Sequence, residues 1–356
     1  MNFDLALSGQ RSILLIGKNG SGKTTVCLAL EVLQKIARGT NRIGHVVTPD
    51  DFLNGRTDGP MRFEIQVQLD GEVYEYVIAL ALPSGSRELQ VLEEKLTIGG
   101  KPLFTRESAN VHLLRPGQGG DASFSIDWHL AALPIIQEQS STDPLFIFRR
   151  WLGRTLILRP IPGLIKGDSD QESLQPTAWV TDFGAWFSGL LAYAPSAYSR
   201  IEKYLKEVMP DLSDIKNPVL GRNYRSLKIQ FSGDQRDLSF PFGDLSDGEK
   251  CFMICALVLA ANKALGPLLC FWDEPDNYLA LSEVGHFVLA LRREFESGGQ
   301  FIATSHNPEA IRRFSDENTF VLLRRNHLEP TIIRPLNELQ VDGDLVDALI
   351  TGDLEP

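Results

Sequence analysis

A run of glycine, lysine and hydroxyl residues near the start of the chain constrains its fold more than any other segment. Residues 17–24 read GKNGSGKT and match the phosphate-binding loop pattern at every position. The run follows the wholly apolar residues 13–16, and Val26, Leu30 and Leu33 then recur at a helical spacing. A buried strand, a glycine loop and a helix in this order predict an α/β domain that binds a nucleotide at a strand end.

The residues of the loop have separate predicted tasks. Glycines let the main chain wrap closely around phosphate, and the helix that follows presents its positive end to the negative charge. Lys23 is predicted to contact the β- and γ-phosphates, and Thr24 is predicted to ligate Mg²⁺. The expected cofactors are therefore ATP and Mg²⁺, and the expected nucleotide-binding residues of the loop are Gly17, Lys18, Asn19, Gly20, Ser21, Gly22, Lys23, Thr24 and Thr25.

A second cluster of polar residues lies in the last third of the chain. LSDGEK at 245–250 precedes an apolar run at 251–261 that predicts a buried helix, and the apolar residues 268–272 end in Asp273 and Glu274. Asp273 fits a partner of the metal, and Glu274 fits a base that orients water. A further predicted strand at 300–304 ends in Ser305 and His306.

Together these motifs resemble those of ABC-type ATPases. The resemblance implies that Ser246 and Gly248 contact the nucleotide held by a second subunit, that His306 is the switch histidine, and that Asp276 lies in the loop along the dimer seam. The predicted catalytic residues are Glu274, His306 and Lys23. The glutamine that this family adds to the metal site is less clear in the sequence: Gln137 is our candidate, and Gln66 and Gln68 compete with it.

The spacing of the motifs resembles the RecF and OLD group of ATPases, which is related to SMC heads. Lys23 and Asp273 are 250 positions apart, and the stretch between them contains a predicted hairpin at 63–80, a loop at 105–125 and a helical part at 181–212. We therefore expect an α/β P-loop ATPase head with an antiparallel β subdomain and an inserted helical lobe. A single domain over 1–356 would comprise a phosphate-loop lobe at 1–105, a mainly helical insertion at 106–235 and a lobe at 236–356.

The amino-acid composition limits the partners and the cellular location that can be expected. The chain has 35 Lys and Arg and 46 Asp and Glu, so its net charge is −11. Contact with nucleic acid would therefore need a local basic patch. Candidate patches are the arginine pairs at 149–150, 312–313 and 324–325. The sequence shows no signal peptide and no apolar stretch of membrane-spanning length. Four cysteines in apolar surroundings fit buried, reduced thiols, so a cytoplasmic location is expected.

The resemblance also implies a function. We expect an ATPase that dimerises, or forms a larger homo-oligomer, around ATP and acts as a switch for a separate effector, a nuclease or toxin, in bacterial antiphage defence. Only 50 residues follow His306, and they contain no nuclease pattern. Two alternatives stay open: a RecF-like DNA-repair ATPase that binds DNA, and the ATP-binding subunit of a transporter.

Overall fold

The computed structural model describes residues 9–52, 55–114, 121–233, 236–314, 316–326 and 329–339. Its contacts divide the chain into two compact units. The first unit comprises Met1–Cys27 and Thr155–Pro356, and the second unit comprises Leu28–Arg154. These bounds differ from the lobe boundaries at residues 105 and 235 that the sequence indicated, and the three-lobe division stays a prediction.

The described residues form eighteen strands and seven α-helices. The helices are α1 (Lys23–Ala37), α2 (Pro144–Arg154), α3 (Phe183–Tyr193), α4 (Ala197–Val208), α5 (Asp247–Leu265), α6 (Leu281–Glu296) and α7 (Pro308–Arg312). The strands are β1 (Ser12–Ile16), β2 (Met61–Leu69), β3 (Glu72–Ala81), β4 (Gln90–Ile98), β5 (Lys101–Glu107), β6 (Asn110–Leu113), β7 (Ala122–Ser125), β8 (Leu156–Leu158), β9 (Asp168–Ser169), β10 (Leu212–Lys216), β11 (Val219–Leu220), β12 (Tyr224–Ser226), β13 (Lys228–Ser232), β14 (Asp237–Pro241), β15 (Leu269–Trp272), β16 (Gln300–Thr304), β17 (Thr319–Leu323) and β18 (Ile332–Pro335).

A six-stranded sheet forms the centre of the first unit, in the order β18-β17-β1-β16-β15-β8. Five of these strands run parallel, and β18 is antiparallel to β17. All five residues of β1 are buried, as expected for a strand covered on both faces. Leu15 pairs with Thr304 and Trp272 with Ala303, so β1, β16 and β15 end at the same edge of the sheet.

Helices of the first unit pack in one core with this sheet. The predicted buried helix is α5, whose residues from Lys250 to Asn262 are all buried. A helix that is apolar on every side needs neighbours all round, and α3, α4 and α6 lie against α5. The helical stretch predicted at 181–212 consists of α3 and α4, which are joined through Pro195 and Ser196. The α/β class and the helical part are thereby confirmed.

The second unit is built on an antiparallel sheet in the order β2-β3-β4-β5-β6-β7. Its first turn is Asp70-Gly71, with φ of 51° and 88°, the left-handed pair that a two-residue hairpin turn requires. The predicted hairpin is therefore present. The prediction of a loop over 105–125 is partly wrong, because β6 and β7 form two strands within this range. All four residues of β7 are exposed, so no apolar alternation in the sequence marks this strand.

A buried ion pair holds one loop of the second unit against its sheet. Glu94 and Arg106 are 0% and 1% exposed, and the Glu94 carboxylate accepts hydrogen bonds from the N–H groups of Ala132 at 2.6 Å and Leu133 at 2.8 Å and from the Tyr76 hydroxyl at 2.8 Å. One guanidinium nitrogen of Arg106 lies 3.5 Å from Glu94. Burial raises the pKa of the Glu94 carboxyl, and these hydrogen bonds oppose that rise.

Replacing this carboxylate should destabilise the second unit. Glu94→Ala leaves the Arg106 charge buried without its partner, which costs about 3–5 kcal/mol. The measurement is native-state hydrogen exchange of the β4 and β5 amides in the full chain. The control is Glu93→Ala, which loses only an exposed ion pair with Arg62 and should cost about 1 kcal/mol or less. Equal losses in the two variants would contradict the role of Glu94.

Candidate nucleotide-binding site

The ends of three neighbouring strands supply the polar residues of the candidate site. The loop at 17–22 follows β1, Asp273 and Glu274 follow β15, and Ser305 and His306 follow β16. Because β16 pairs with both β1 and β15, these segments meet at the carboxyl edge of the sheet. Ligands of open α/β sheets bind at this edge.

The loop itself has the backbone that phosphate binding requires. A Cβ at Gly17 would lie 2.5 Å from the Leu322 carbonyl oxygen, so only glycine fits there. Gly20 has φ of 78°, in the region that glycine adopts at no steric cost. The Ser21 hydroxyl is buried and has no hydrogen-bond partner among the described residues, which leaves a donor for a ligand.

Lys23 is held within the loop. Its ammonium group donates hydrogen bonds to the carbonyl oxygens of Gly17 at 2.8 Å and Lys18 at 3.3 Å. Burial lowers the pKa of Lys23, and the negative charges of Glu274 and Asp273 oppose this shift. The ammonium is therefore preorganised beside the loop, where it faces the place that phosphates would occupy.

A chain of hydrogen bonds connects the loop to the two acids. Thr24 donates from its hydroxyl to Asp273 at 3.1 Å, and the hydroxyl of Thr304 donates to the other oxygen of Asp273 at 2.6 Å. The same Thr304 hydroxyl accepts from the backbone N–H of Glu274 at 2.9 Å. Thr304 is fully buried, so the positions of both acids depend on a residue that no sequence motif marks.

The oxygen atoms at this point fit a magnesium ion. Mg²⁺ prefers a few hydroxyl and carboxylate oxygens from the protein together with phosphate oxygens, and Thr24 and Asp273 provide a hydroxyl and a carboxylate in direct contact. These two residues would hold the ion, which would neutralise charge on the phosphates when bound.

Glu274 and His306 form a pair beside the acids. The Glu274 carboxylate lies 3.5 Å from Nε2 of His306, and its other oxygen accepts a hydrogen bond from the Asn277 side chain. Glu274 has φ of 51°. Burial and the charge of Lys23 lower the pKa of His306, against the effect of the acids, and this shift favours the neutral imidazole.

Asp276 lies behind this pair. It is 3% exposed and accepts a hydrogen bond from the Ser305 hydroxyl at 2.9 Å. Its other oxygen has no partner among the described residues, and burial raises its pKa to about 6. Asp276 therefore joins the segment after β15 to the end of β16.

The LSDGEK segment begins α5. Ser246 is the N-cap residue, and its hydroxyl and backbone N–H both contact the Glu249 carboxylate at 2.7 Å. A Cβ at Gly248 would lie 3.1 Å from the Tyr278 carbonyl oxygen, so this helix start packs closely on the segment after Asp276. Within the described ranges, no hydrogen bond or ion pair joins Ser246 or Gly248 to residues 17–25.

The glutamine candidates lie in the second unit. Gln137 is exposed in an irregular stretch before α2, and Gln66 and Gln68 lie on the exposed face of β2. The role of Gln137 as a metal ligand stays a prediction.

Two further residues support the loop from the far end of the chain. Thr331 is 1% exposed, and its hydroxyl donates to the Ser21 carbonyl at 2.7 Å. The Arg324 guanidinium donates to the Gly20 carbonyl at 3.2 Å. No motif marks either residue, because the sheet brings them to the loop across more than 300 positions.

Four of the six arginines in the pairs that could contact nucleic acid have partners within their own units. Arg149 pairs with Glu138 and Arg150 lies over the Phe146 ring, while Arg313 pairs with Glu309. Surface arginines with such partners are typical of an ordinary charged surface.

Known proteins share parts of this architecture. Residues 12–110 match the family model described as "AAA domain, putative AbiEii toxin, Type IV TA system". An Smc head domain with an extended coiled coil from Pyrococcus furiosus, solved with the C-terminal domain of ScpA, is 13% identical, with 93% of this chain and 92% of that chain covered and a TM-score of 0.50. The SMC head domain from Thermotoga maritima is 15% identical, with 91% and 90% covered and a TM-score of 0.46. No curated protein matches the sequence.

The first of these structures decides the fold, because it covers nearly the whole of both chains. The chain has the fold of an SMC head domain. The expected fold is thereby confirmed, while the roles of individual residues in this head stay predictions. Among the described helices of the head, none has the length and apolar character needed to cross a membrane.

The hydroxyl of Thr304 provides a test of the site. Thr304→Val keeps the shape of the side chain and removes the hydroxyl that joins Asp273 to the Glu274 backbone. Nucleotide turnover should fall about 10- to 100-fold, the usual effect of losing a group that orients a metal ligand. The measurement is phosphate release over a range of Mg²⁺ concentrations, with nucleotide binding followed in parallel.

A matched control is Thr319→Val, a buried threonine at the start of β17 in the same sheet. It should lower turnover much less than Thr304→Val. Equal effects of the two variants on turnover would show that only the packing of the sheet matters.

Proposed function

We propose that this chain binds ATP with Mg²⁺, hydrolyses it at a site completed by a second copy of the chain, and acts as a switch for a separate effector. The observation that carries the proposal is the contact between Thr24 of the phosphate loop and Asp273, with Glu274 and His306 beside it. A phosphate loop joined to an acid pair is the arrangement of P-loop enzymes that hydrolyse nucleotides.

The residues of the chain have distinct tasks in this proposal. Lys23 and the loop N–H groups bind the phosphates, and Thr24 and Asp273 hold the metal, which supplies positive charge to the phosphate oxygens when bound. The Glu274 carboxylate orients and deprotonates water, while Asn277 and the Thr304 hydroxyl keep this side chain and its backbone in place. The neutral imidazole of His306 can donate a hydrogen bond to the γ-phosphate.

The acid at 274 gives a direct test of hydrolysis. Glu274→Gln keeps the size of the side chain and removes the base, so turnover should fall by about two orders of magnitude or more while ATP affinity is retained. Turnover is measured by phosphate release and affinity by calorimetry. The control is Glu296→Gln, an exposed glutamate at the end of α6, which should leave both values unchanged. Wild-type turnover in Glu274→Gln would reject the role of this carboxylate.

The part played by a second copy rests on Ser246 and Gly248. A helix N-terminus is an anion-binding feature, yet this one has no hydrogen bond to the chain's own loop within the described residues. In this proposal the helix start contacts phosphate bound by another copy, as the resemblance to ABC-type ATPases implies.

Mixing two inactive variants tests this composite site. Lys23→Ala removes the part of the site that binds its own nucleotide, and Ser246→Arg removes the part that contacts the partner's nucleotide. A mixed dimer therefore contains one complete site. It should recover up to about half of the wild-type turnover, since only one of its two sites is intact. The control mixture is Lys23→Ala with Glu274→Gln. Both residues act on the nucleotide bound by their own copy, so each of the two sites in this mixed dimer is defective. Circular dichroism checks folding, because Ser246 also caps α5.

If the two sites hydrolyse ATP only together, the mixed dimer stays inactive, and a crosslink then tests the composite site instead. An ATP-dependent crosslink between position 246 of one copy and position 19 of the other should form whether or not turnover returns. The absence of both rescue and crosslink would reject the composite site.

The effector and the biological setting belong to the same proposal. We propose a partner-controlled switch in antiphage defence within the cytoplasm, and the matching family's description, which names a putative toxin of a Type IV TA system, supports only the toxin class of effector. ATP-dependent DNA binding by the purified protein would favour the repair alternative, and copurification with a membrane protein would favour the transporter alternative.

A further inference from the structure

A groove in the first unit lies away from the nucleotide-binding residues, between α4, α5 and α6. Its volume is about 600 Å³. Apolar atoms of Tyr204, Leu259, Leu289 and Ala290 line it. Four cations, Arg200, Lys203, Lys263 and Arg293, also line it, and all four are exposed. The groove therefore combines an apolar surface with a positively charged rim.

The positive charge of the rim is only partly balanced. Glu294 lies 3.5 Å from Arg200, and Glu207 lies 3.9 Å from His286, so both acids of the groove already face a basic group. Lys203, Lys263 and Arg293 have no ion pair or hydrogen bond in the part of the chain that the structure describes. In a chain with a net charge of −11, this local excess of cations favours an acidic occupant.

A segment of the same chain has the matching chemistry. Residues 340–356 read QVDGDLVDALITGDLEP, with five acidic residues and no Lys, Arg or His. Leu345, Val346, Leu349 and Ile350 lie between the acids. Acidic and apolar residues are thus interspersed in this stretch.

The last described residues, which precede this segment, lie close to α6. The turn at Leu336–Glu338 contacts the turn at Asp316–Asn318. Glu317 and Asn318 of that turn share a small cleft with Arg292 and Glu296 of α6, and the neighbouring face of α6 carries Ala290 and Arg293 of the groove. Since a helix is about 10–12 Å across and 17 extended residues span about 55 Å, residues 340–356 are long enough to reach the groove.

We propose that the groove between α4, α5 and α6 binds residues 340–356 of its own chain, through apolar contacts at the centre and ion pairs at the rim. A tethered segment has a high effective concentration at a site within its reach, so individually weak pairs suffice. The groove then has an occupant in the isolated protein, and an external acidic peptide would have to compete with it.

Carbodiimide crosslinking of the full chain tests this proposal. The reagent joins carboxylates to lysines in contact, so acids of 340–356 should become linked to Lys203 and Lys263. Mixing ¹⁴N and ¹⁵N protein distinguishes links within one chain from links between copies. The expected result is crosslinks within one chain at these two lysines and not at Lys206, which is as exposed, lies on α4 outside the groove, and pairs with Glu202.

A charge reversal supplies the matched variant. Arg293→Glu removes no crosslinking lysine, and it should lower the yield at Lys203 and Lys263 about fivefold, the scale of reversing one surface ion pair. Lys206→Glu changes the net charge equally and should leave the yield unchanged, and Asp347→Arg should restore part of the yield in Arg293→Glu. Links only between copies, equal yields at Lys206, or no links to 340–356 would each overturn the proposal.

Discussion

Parallel pairing of β16 with β1 on one side and β15 on the other is the constraint on which the candidate site depends. Three segments that are far apart in sequence reach the same edge only because β16 lies between the other two strands. Thr304 at the end of β16 then contacts Asp273 across the strand boundary. Any change that altered this register by one residue would turn Thr304 away from the acids, since neighbouring residues of a strand face opposite sides of a sheet.

Support for the phosphate loop comes from several directions. Leu322 lies against Gly17, Thr331 bonds to Ser21, and Arg324 bonds to Gly20. The antiparallel addition of β18 to the sheet positions the last two of these residues. The loop is therefore fixed from the protein side, and its exposed face is left to the ligand, as preorganised binding requires.

The parts of the fold that the sequence predicts have strong local patterns. The loop at 17–24, the hairpin around Asp70 and the buried helix α5 each carry a pattern that a few neighbouring residues define. Thr304 and Thr331 could not be found in this way, because a threonine at a strand end has no distinguishing neighbours and its importance arises from residues brought together by the sheet. Strand β7 was not predicted for a related reason, since its exposed residues lack apolar alternation.

The backbone at Glu274 has a consequence for any attempt to stabilise this protein. A residue with a side chain in the left-handed region costs about 1–2 kcal/mol relative to the ordinary helical region, whereas glycine adopts φ near 51° without this cost. A selection for thermal resistance alone would favour glycine at 274 and remove the carboxylate. With Glu274 as the proposed base, thermal stability and turnover are set against each other at a single position, so variants of the chain chosen for heat tolerance need to be screened for activity as well.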